Sequence, residues 1–238
     1  MAGSNVRDLN PLIWLWSLPL PLLIHLTTRQ LDPENRFFST WIESESGFIE
    51  NATTLLLLPA TVFASLLALR YYRRFGPAFL IWFCGVAAVC FGFAGEEASW
   101  GQHWVGWTSP EYFADNNRQG ETNFHNLNIH FGRVVKTVLT IAIIVGGLII
   151  PLSGRRRVDV APLPLRFVDA ITPTMVCVPA AAFVFGVRLV ERCKTWFDIE
   201  WALLAVNLKE LQELYIAIFL LIYVWSLRTR LASSDTAE

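Results

Sequence analysis

Charge is scarce in this 238-residue chain: Asp, Glu, Lys and Arg together make up 16% of it, where a soluble domain carries about a quarter. So few charged groups cannot cover a water-facing surface, and a soluble globule is excluded. No basic excess exists either, since nineteen Lys and Arg meet twenty Asp and Glu. With no basic aromatic stripe, a nucleic-acid partner is not expected. The four cysteines, Cys84, Cys90, Cys177 and Cys193, are scattered and lack CxxC or zinc-ribbon spacing. Burial among apolar neighbours is their favoured reading, and a disulfide scaffold is not. Also missing are a phosphate-cradling glycine loop, a GxSxG elbow, an HExxH pair and a haem attachment motif.

Apolar residues fill the space that charge leaves. They account for 54% of the chain, mean hydropathy is +0.43, and there are ten Trp and seventeen Phe. Trp is favoured where an apolar ring meets a wet interface. A helix needs about 20 largely apolar residues to cross a bilayer. Six stretches approach that length, near 11–28, 49–69, 77–97, 132–152, 169–189 and 211–227. The fold expected is therefore all-α, a polytopic membrane bundle of six helices in a single domain. The first stretch follows Arg7 but precedes no small-x-small cleavage site, so it reads as an uncleaved span, kinked at Pro19 and Pro21. The sixth is short alone and extends a helix expected to start near Ile199.

Basic residues orient the bundle. With the N-terminus cytoplasmic, the inner segments hold Arg7, Arg70, Arg73, Arg74, Arg155, Arg156, Arg157, Arg166, Arg228 and Arg230. Against these stand only Asp8, Asp159, Asp169, Asp235 and Glu238. Both termini are expected inside. The segments 29–48 and 98–131 then lie outside, the second re-entrant or interfacial and rich in Trp, Asn and His. Within it, Thr108-Ser109-Pro110-Glu111 has the form of a helix start, which predicts a short helix over 109–117.

This topology brings His25, His103, His125 and His130 to the outer face, with Glu50, Asn51, Glu96, Glu97, Glu210 and Glu213. If the third helix continues past Glu97, then Glu96, Ser99, Trp100 and His103 share one stripe. A carboxylate in apolar surroundings must be paired, neutralised or bound to a cation. Read blandly, Glu96 and Glu97 are solvated beyond the hydrocarbon, with Trp100, Trp104 and Trp107 as an interfacial belt. A helix from Thr122 into the fourth span would align Asn123, Asn126 and His130. His125 and His130 stand about 140° apart on such a helix, so one of them, not both, would serve a single ion. Glu210 and Glu213, one turn apart, would share a proton, pair with a cation or bind metal. Arg133, Lys136, Arg188 and Arg192 are the candidate partners for a structural salt-bridge network instead. Little polarity marks the interiors of spans one and five, so the polar region reads as a one-sided bowl and not a tunnel.

Glu96-Glu-Ala-Ser-Trp-Gly-Gln102, Trp107-Thr-Ser-Pro-Glu-Tyr-Phe113 and Gln119-Gly-Glu-Thr-Asn-Phe-His-Asn-Leu127 resemble an uncharacterised family of bacterial multi-pass membrane proteins. Glu45-Ser-Gly-Phe-Ile-Glu50 resembles the start of that family's second helix. The likeness covers about the middle third of the chain. It implies a bacterial inner-membrane location and brings no activity with it. The carboxylate and histidine cluster is also similar in kind to seven-helix membrane hydrolases of the ceramidase type. Their serine–histidine–aspartate spacing and late histidine pair are absent here, so their residues are not carried over.

Two functions compete on these residues. In the first, a membrane enzyme acts on a lipid or lipid-linked substrate at the outer leaflet. Glu96, Glu97, His103, His125, His130 and Glu210 hold a divalent metal, zinc or iron, and Glu97, His103 and Glu213 carry the chemistry. Glu50, Trp100, Gln102, Asn123 and Asn126 contact the substrate. In the second, the chain is a transport, assembly or sensing partner whose charged cluster is structural or ligand-binding.

Overall fold

The computed structural model describes residues 8–10, 12, 18–32, 47–124, 126, 127, 129–153, 166–198 and 207–235. The described chain is a helical membrane bundle, and five of its helices are long and apolar enough to cross a bilayer. In order, the described helices are α1 (Pro19–Leu31), α2 (Phe48–Phe75), α3 (Pro77–Glu97), α4 (Gln102–Val105), α5 (Glu111–Asn116), α6 (Ile129–Ile143, running on through Ile144–Ile149 and Ile150–Leu152), α7 (Phe167–Ile171), α8 (Val178–Phe197) and α9 (Leu208–Asp235); the membrane-crossing ones are α2, α3, α6, α7 with α8, and α9. Of the expected first span, the described residues show the thirteen-residue α1, which runs from Pro19 to Leu31. Proline fits the first turn because its missing N–H has no partner to lose there. Residues 11 and 13–17 of that expected span lie outside the described residues, as does Ile199.

α2 and α3 form a hairpin. Arg73 and Arg74 sit in the last turn of α2, where cations complement the helix dipole. The chain then stops at Gly76, whose φ of +85° suits glycine, and Pro77 opens α3. α9 is the central helix. Of its most apolar window 72% is buried, against 17% for the third spanning helix, α6. α9 packs against both α2 and α8. Its tyrosines satisfy their hydroxyls inside the bundle, as polar groups in hydrocarbon must. Tyr215 donates to Leu18 O at 2.8 Å; Tyr223 donates to Ile171 O at 2.7 Å and accepts from Trp82 Nε1 at 2.9 Å.

α6 loosens to a π-helix over Ile144–Ile149, just before Pro151, which has no N–H to give back to the turn above. Gly147 in this stretch touches α8 and α9 so closely that a Cβ would lie 2.3 Å from the Phe219 ring. The expected fifth span is broken. α7 ends at Ile171, the Thr172-Pro173-Thr174 segment follows, and α8 starts at Val178. Pro173 disfavours helix at Thr172. The carbonyls freed by the break are taken by the buried Arg230, whose Nη1 donates to Thr172 O at 3.2 Å and Nη2 to Asp169 O at 2.5 Å. Beside the break, Asp8 accepts from Thr174 Oγ1 at 2.6 Å and Ser226 Oγ at 2.7 Å. These contacts lie at the arginine-rich end of the bundle; residues 98–124 cover the other end, the loop face.

Candidate functional site

The third helix does not continue into the loop, which corrects the single stripe expected for Glu96, Ser99, Trp100 and His103. α3 ends at Glu97, and Ser99, Trp100 and Gly101 follow with φ of 44°, 57° and 98°. Two consecutive non-glycine residues in this region store about 1–3 kcal/mol each. The turn persists because the surroundings over-determine it. Gly95 leaves room for the Trp100 ring to fold back over the helix end, where a Cβ would come within 2.9 Å of it. Trp100 Nε1 then donates to Glu96 Oε1 at 2.9 Å, and Phe124 N donates to Glu96 Oε2 at 2.8 Å. Glu96 therefore ties the loop to the helix.

The reversal has a chemical consequence. Ser99 and His103 meet after all, not on a helix face but on Glu121. Ser99 Oγ donates to Glu121 Oε2 at 2.8 Å, Asn123 Nδ2 donates to the same oxygen at 2.7 Å, and His103 Nε2 stands 3.2 Å from Oε1. Asn123 Nδ2 also lies 3.0 Å from Ser99 Oγ, and Asn117 Nδ2 holds Asn123 Oδ1 at 2.9 Å. Ser99, Glu121 and Asn123 are all buried, and the His103 side chain is 16% exposed. Because Ser99 bonds the carboxylate and not the imidazole, it is not arranged as a nucleophile. The carboxylate orients the imidazole, an arrangement whose chemistry suits proton transfer.

A second set of bonds frames the pair. Gln102 Nε2 donates to Ser109 Oγ at 2.9 Å, Gln102 Oε1 accepts from Thr122 N at 2.8 Å, and Ser109 Oγ donates to Gly120 O at 2.5 Å. So Ser109, expected to help start the 109–117 helix, instead bridges two loop strands of backbone, and Pro110 precedes α5. Gln102 is a loop brace in this arrangement. Asn126 is likewise engaged, donating from Nδ2 to Gln119 Oε1. Trp104 Nε1 reaches Asn51 Oδ1 at 2.8 Å, which docks α4 on the first turn of α2, next to Glu50.

Residues 121–124 are extended or bent, so the helix expected from Thr122 begins only at Ile129, and Asn123 turns inward. His125 and the side chain of His130 lie outside the described residues. Glu210 and Glu213 have different partners: Asn207 Nδ2 donates to Glu210 Oε1, while Glu213 pairs with Lys136 of α6. Arg188 pairs with Glu191, one turn along α8, at 2.6 Å. Of the acids expected to be catalytic, Glu213 is held by Lys136, and Glu97 is the half-buried last residue of α3.

Two of the six expected metal ligands, His125 and the side chain of His130, lie outside the described residues. Among the described residues no three His, Cys, Asp or Glu side chains are placed to hold an ion. Glu96, Glu210 and Glu213 have organic partners, and His103 meets a carboxylate that the spacing did not single out. Sequence reasoning missed Glu121 because residues 117–124 follow no helical or strand period; Gly120, a turn residue with φ of +67°, is the one local signal beside it. No family model, curated protein or solved structure matches the chain, so geometry carries the functional argument.

Proposed function

We propose that the chain is a bacterial inner-membrane protein, with both termini cytoplasmic, whose loop face performs acid–base chemistry on a lipid or lipid-linked substrate of the outer leaflet. The observation that carries this reading is the buried Glu121, fixed by Ser99 and Asn123 and facing His103 Nε2 at 3.2 Å. His103 is the proton-transferring group and Glu121 its positioning residue. The strained Ser99–Gly101 turn places both at the end of a membrane span, where headgroups lie. Exposed Trp100, Trp104 and Trp107 surround them and suit that interface.

The test compares membranes holding equal amounts of wild type, His103→Ala and Glu121→Gln by lipid mass spectrometry, which finds a substrate without naming it beforehand. A lipid whose level responds to wild type and to neither variant supports the reading. Identical lipid profiles for all three folded proteins would overturn it. A second reading rests on the Lys136–Glu213 pair, which joins α6 to α9 and suits a structural lock in place of the catalytic role expected for Glu213.

A further inference from the structure

At the arginine-rich end of the bundle, the pairing that secures the helices leaves one cation over. Asp235 is taken by Arg70, Arg74 and Tyr71, and Asp8 by Thr174 and Ser226. Arg228 of α9 has neither an ion pair nor a hydrogen bond among the described residues. Its guanidinium stands over the Phe63 ring of α2, 4.8 Å from the centroid, and the Trp225 ring packs on the same Phe63 at 6.3 Å. Arg228 and Trp225 are both exposed on this seam between two spanning helices, so their open side meets lipid. The level is also defined. The apolar run 214–225 of α9 ends at Trp225, and Arg228 is the first charge after it. Such a residue, beside a Trp, stands at the edge of the hydrocarbon, where lipid phosphates begin. Contact with a ring uses the face of a guanidinium and leaves its five in-plane N–H donors without acceptors. At the edge of a hydrocarbon layer such donors call for an acceptor.

We infer that Arg228, set on the Phe63–Trp225 ring pair, binds an anionic phospholipid, its phosphate diester held by the guanidinium. The planar fork of donors matches two phosphate oxygens, a match that a lysine lacks. An anionic headgroup balances a cation that no carboxylate balances. A zwitterionic one brings its own ammonium, which competes with the guanidinium for the phosphate. Leu58 and Val62, exposed one turn apart on α2, lead from Phe63 toward the membrane interior and give the acyl chain an apolar track. That track commits the site to a lipid and not to free phosphate. The site lies at the opposite end of the bundle from His103 and Glu121, and it does not rest on the acid–base reading. A lipid held across α2 and α9 stabilises their seam and leaves turnover at the loop face unchanged.

Native mass spectrometry of the full-length protein, equilibrated with equal mole fractions of phosphatidylglycerol, phosphatidylethanolamine and phosphatidylcholine, tests it. Wild type should retain phosphatidylglycerol about tenfold over either zwitterionic lipid, and Arg228→Leu should lose that preference. Arg73→Leu is the control, because Arg73 is an exposed cation of the same end that bonds only its neighbour Tyr72. It should keep the preference, since the ring-backed fork and not bulk charge selects the lipid. Should Arg228→Leu fail to fold, Arg228→Lys keeps the charge without the fork and should cut the preference about threefold. Added phosphatidylglycerol should raise the Tm of wild type and leave that of Arg228→Leu unchanged. Equal retention of all three lipids by wild type, an equal loss in Arg73→Leu and Arg228→Leu, or an unchanged preference in a folded Arg228 variant overturns the inference. Release of the bound lipid by excess inorganic phosphate would overturn its assignment to a lipid.

Discussion

Asp235 and Glu121 sit at opposite ends of the same bundle and hold their charge by different means. Asp235 receives Arg70 Nη2 at 3.2 Å, Arg74 Nη1 at 3.0 Å and Tyr71 OH at 2.9 Å, so two permanent cations of α2 secure the end of α9. Glu121 receives Ser99, Asn123 and His103, of which only the imidazole can carry charge, and only when protonated. The first arrangement sets two permanent cations on one carboxylate and joins helices. The second leaves a proton to be gained or lost beside a buried carboxylate, at the price of two left-handed residues in the turn that builds it. The acid–base role proposed for the loop face rests on this contrast between a strained carboxylate–imidazole pair and a carboxylate held by permanent cations.

The comparison predicts that substitutions at the arginine-rich face change stability alone, and that those around Glu121 change activity more than stability. Arg230→Met should have the largest effect, since it strands the carbonyls of Asp169 and Thr172 at the α7–α8 break. A loss of about 3 kcal/mol, read as a lowered Tm in detergent, is expected. Once a substrate is in hand, Glu121→Gln should lower kcat about a hundredfold with KM little changed, while stability falls by about 1 kcal/mol or less. A large fall in Tm with kcat intact would make Glu121 a structural group and erase the contrast between the faces. Gly147→Ala offers a control in the middle of the bundle. Its Cβ would meet the Phe219 ring at 2.3 Å and Ala181 Cβ at 3.0 Å. About 1–3 kcal/mol should be lost, with the folded fraction keeping its activity. Asp235→Asn should have the smallest effect, below about 1 kcal/mol and shrinking in high salt, because Arg70 is 67% exposed. A loss as large as that of Arg230→Met would show the Asp235 pairs to be shielded from solvent.

Much of the architecture was legible in the residue order. Long apolar runs bounded by Gly, Pro and Arg mark α3, α6 and the start of α2 within a few residues, because a bilayer admits few alternatives to a helix of that length. α2 itself runs on past its expected end at 69 to Phe75. The break in the fifth span was less so, although Pro173 stands in it, because proline alone permits a kink; the carbonyl-binding Arg230 lies 57 residues away from Pro173 along the chain (230 − 173 = 57). At the loop face, the concentration of Glu and His at one depth was visible from topology. Which of them meet was not.

Composition and the spacing of apolar runs were enough, by themselves, to make this an all-α membrane protein with its unusual polar residues beyond the ends of its spans. Both properties are set by transfer of side chains between water and hydrocarbon, which acts on each segment independently of its neighbours. Partner choice belonged to the tertiary structure. Ser99 finds Glu121 across 22 positions because three left-handed residues reverse the chain after α3, and Glu213 finds Lys136 because α6 and α9 lie side by side. No helical or strand period relates such pairs, so they exist only once the helices have assembled and the loop has closed over them.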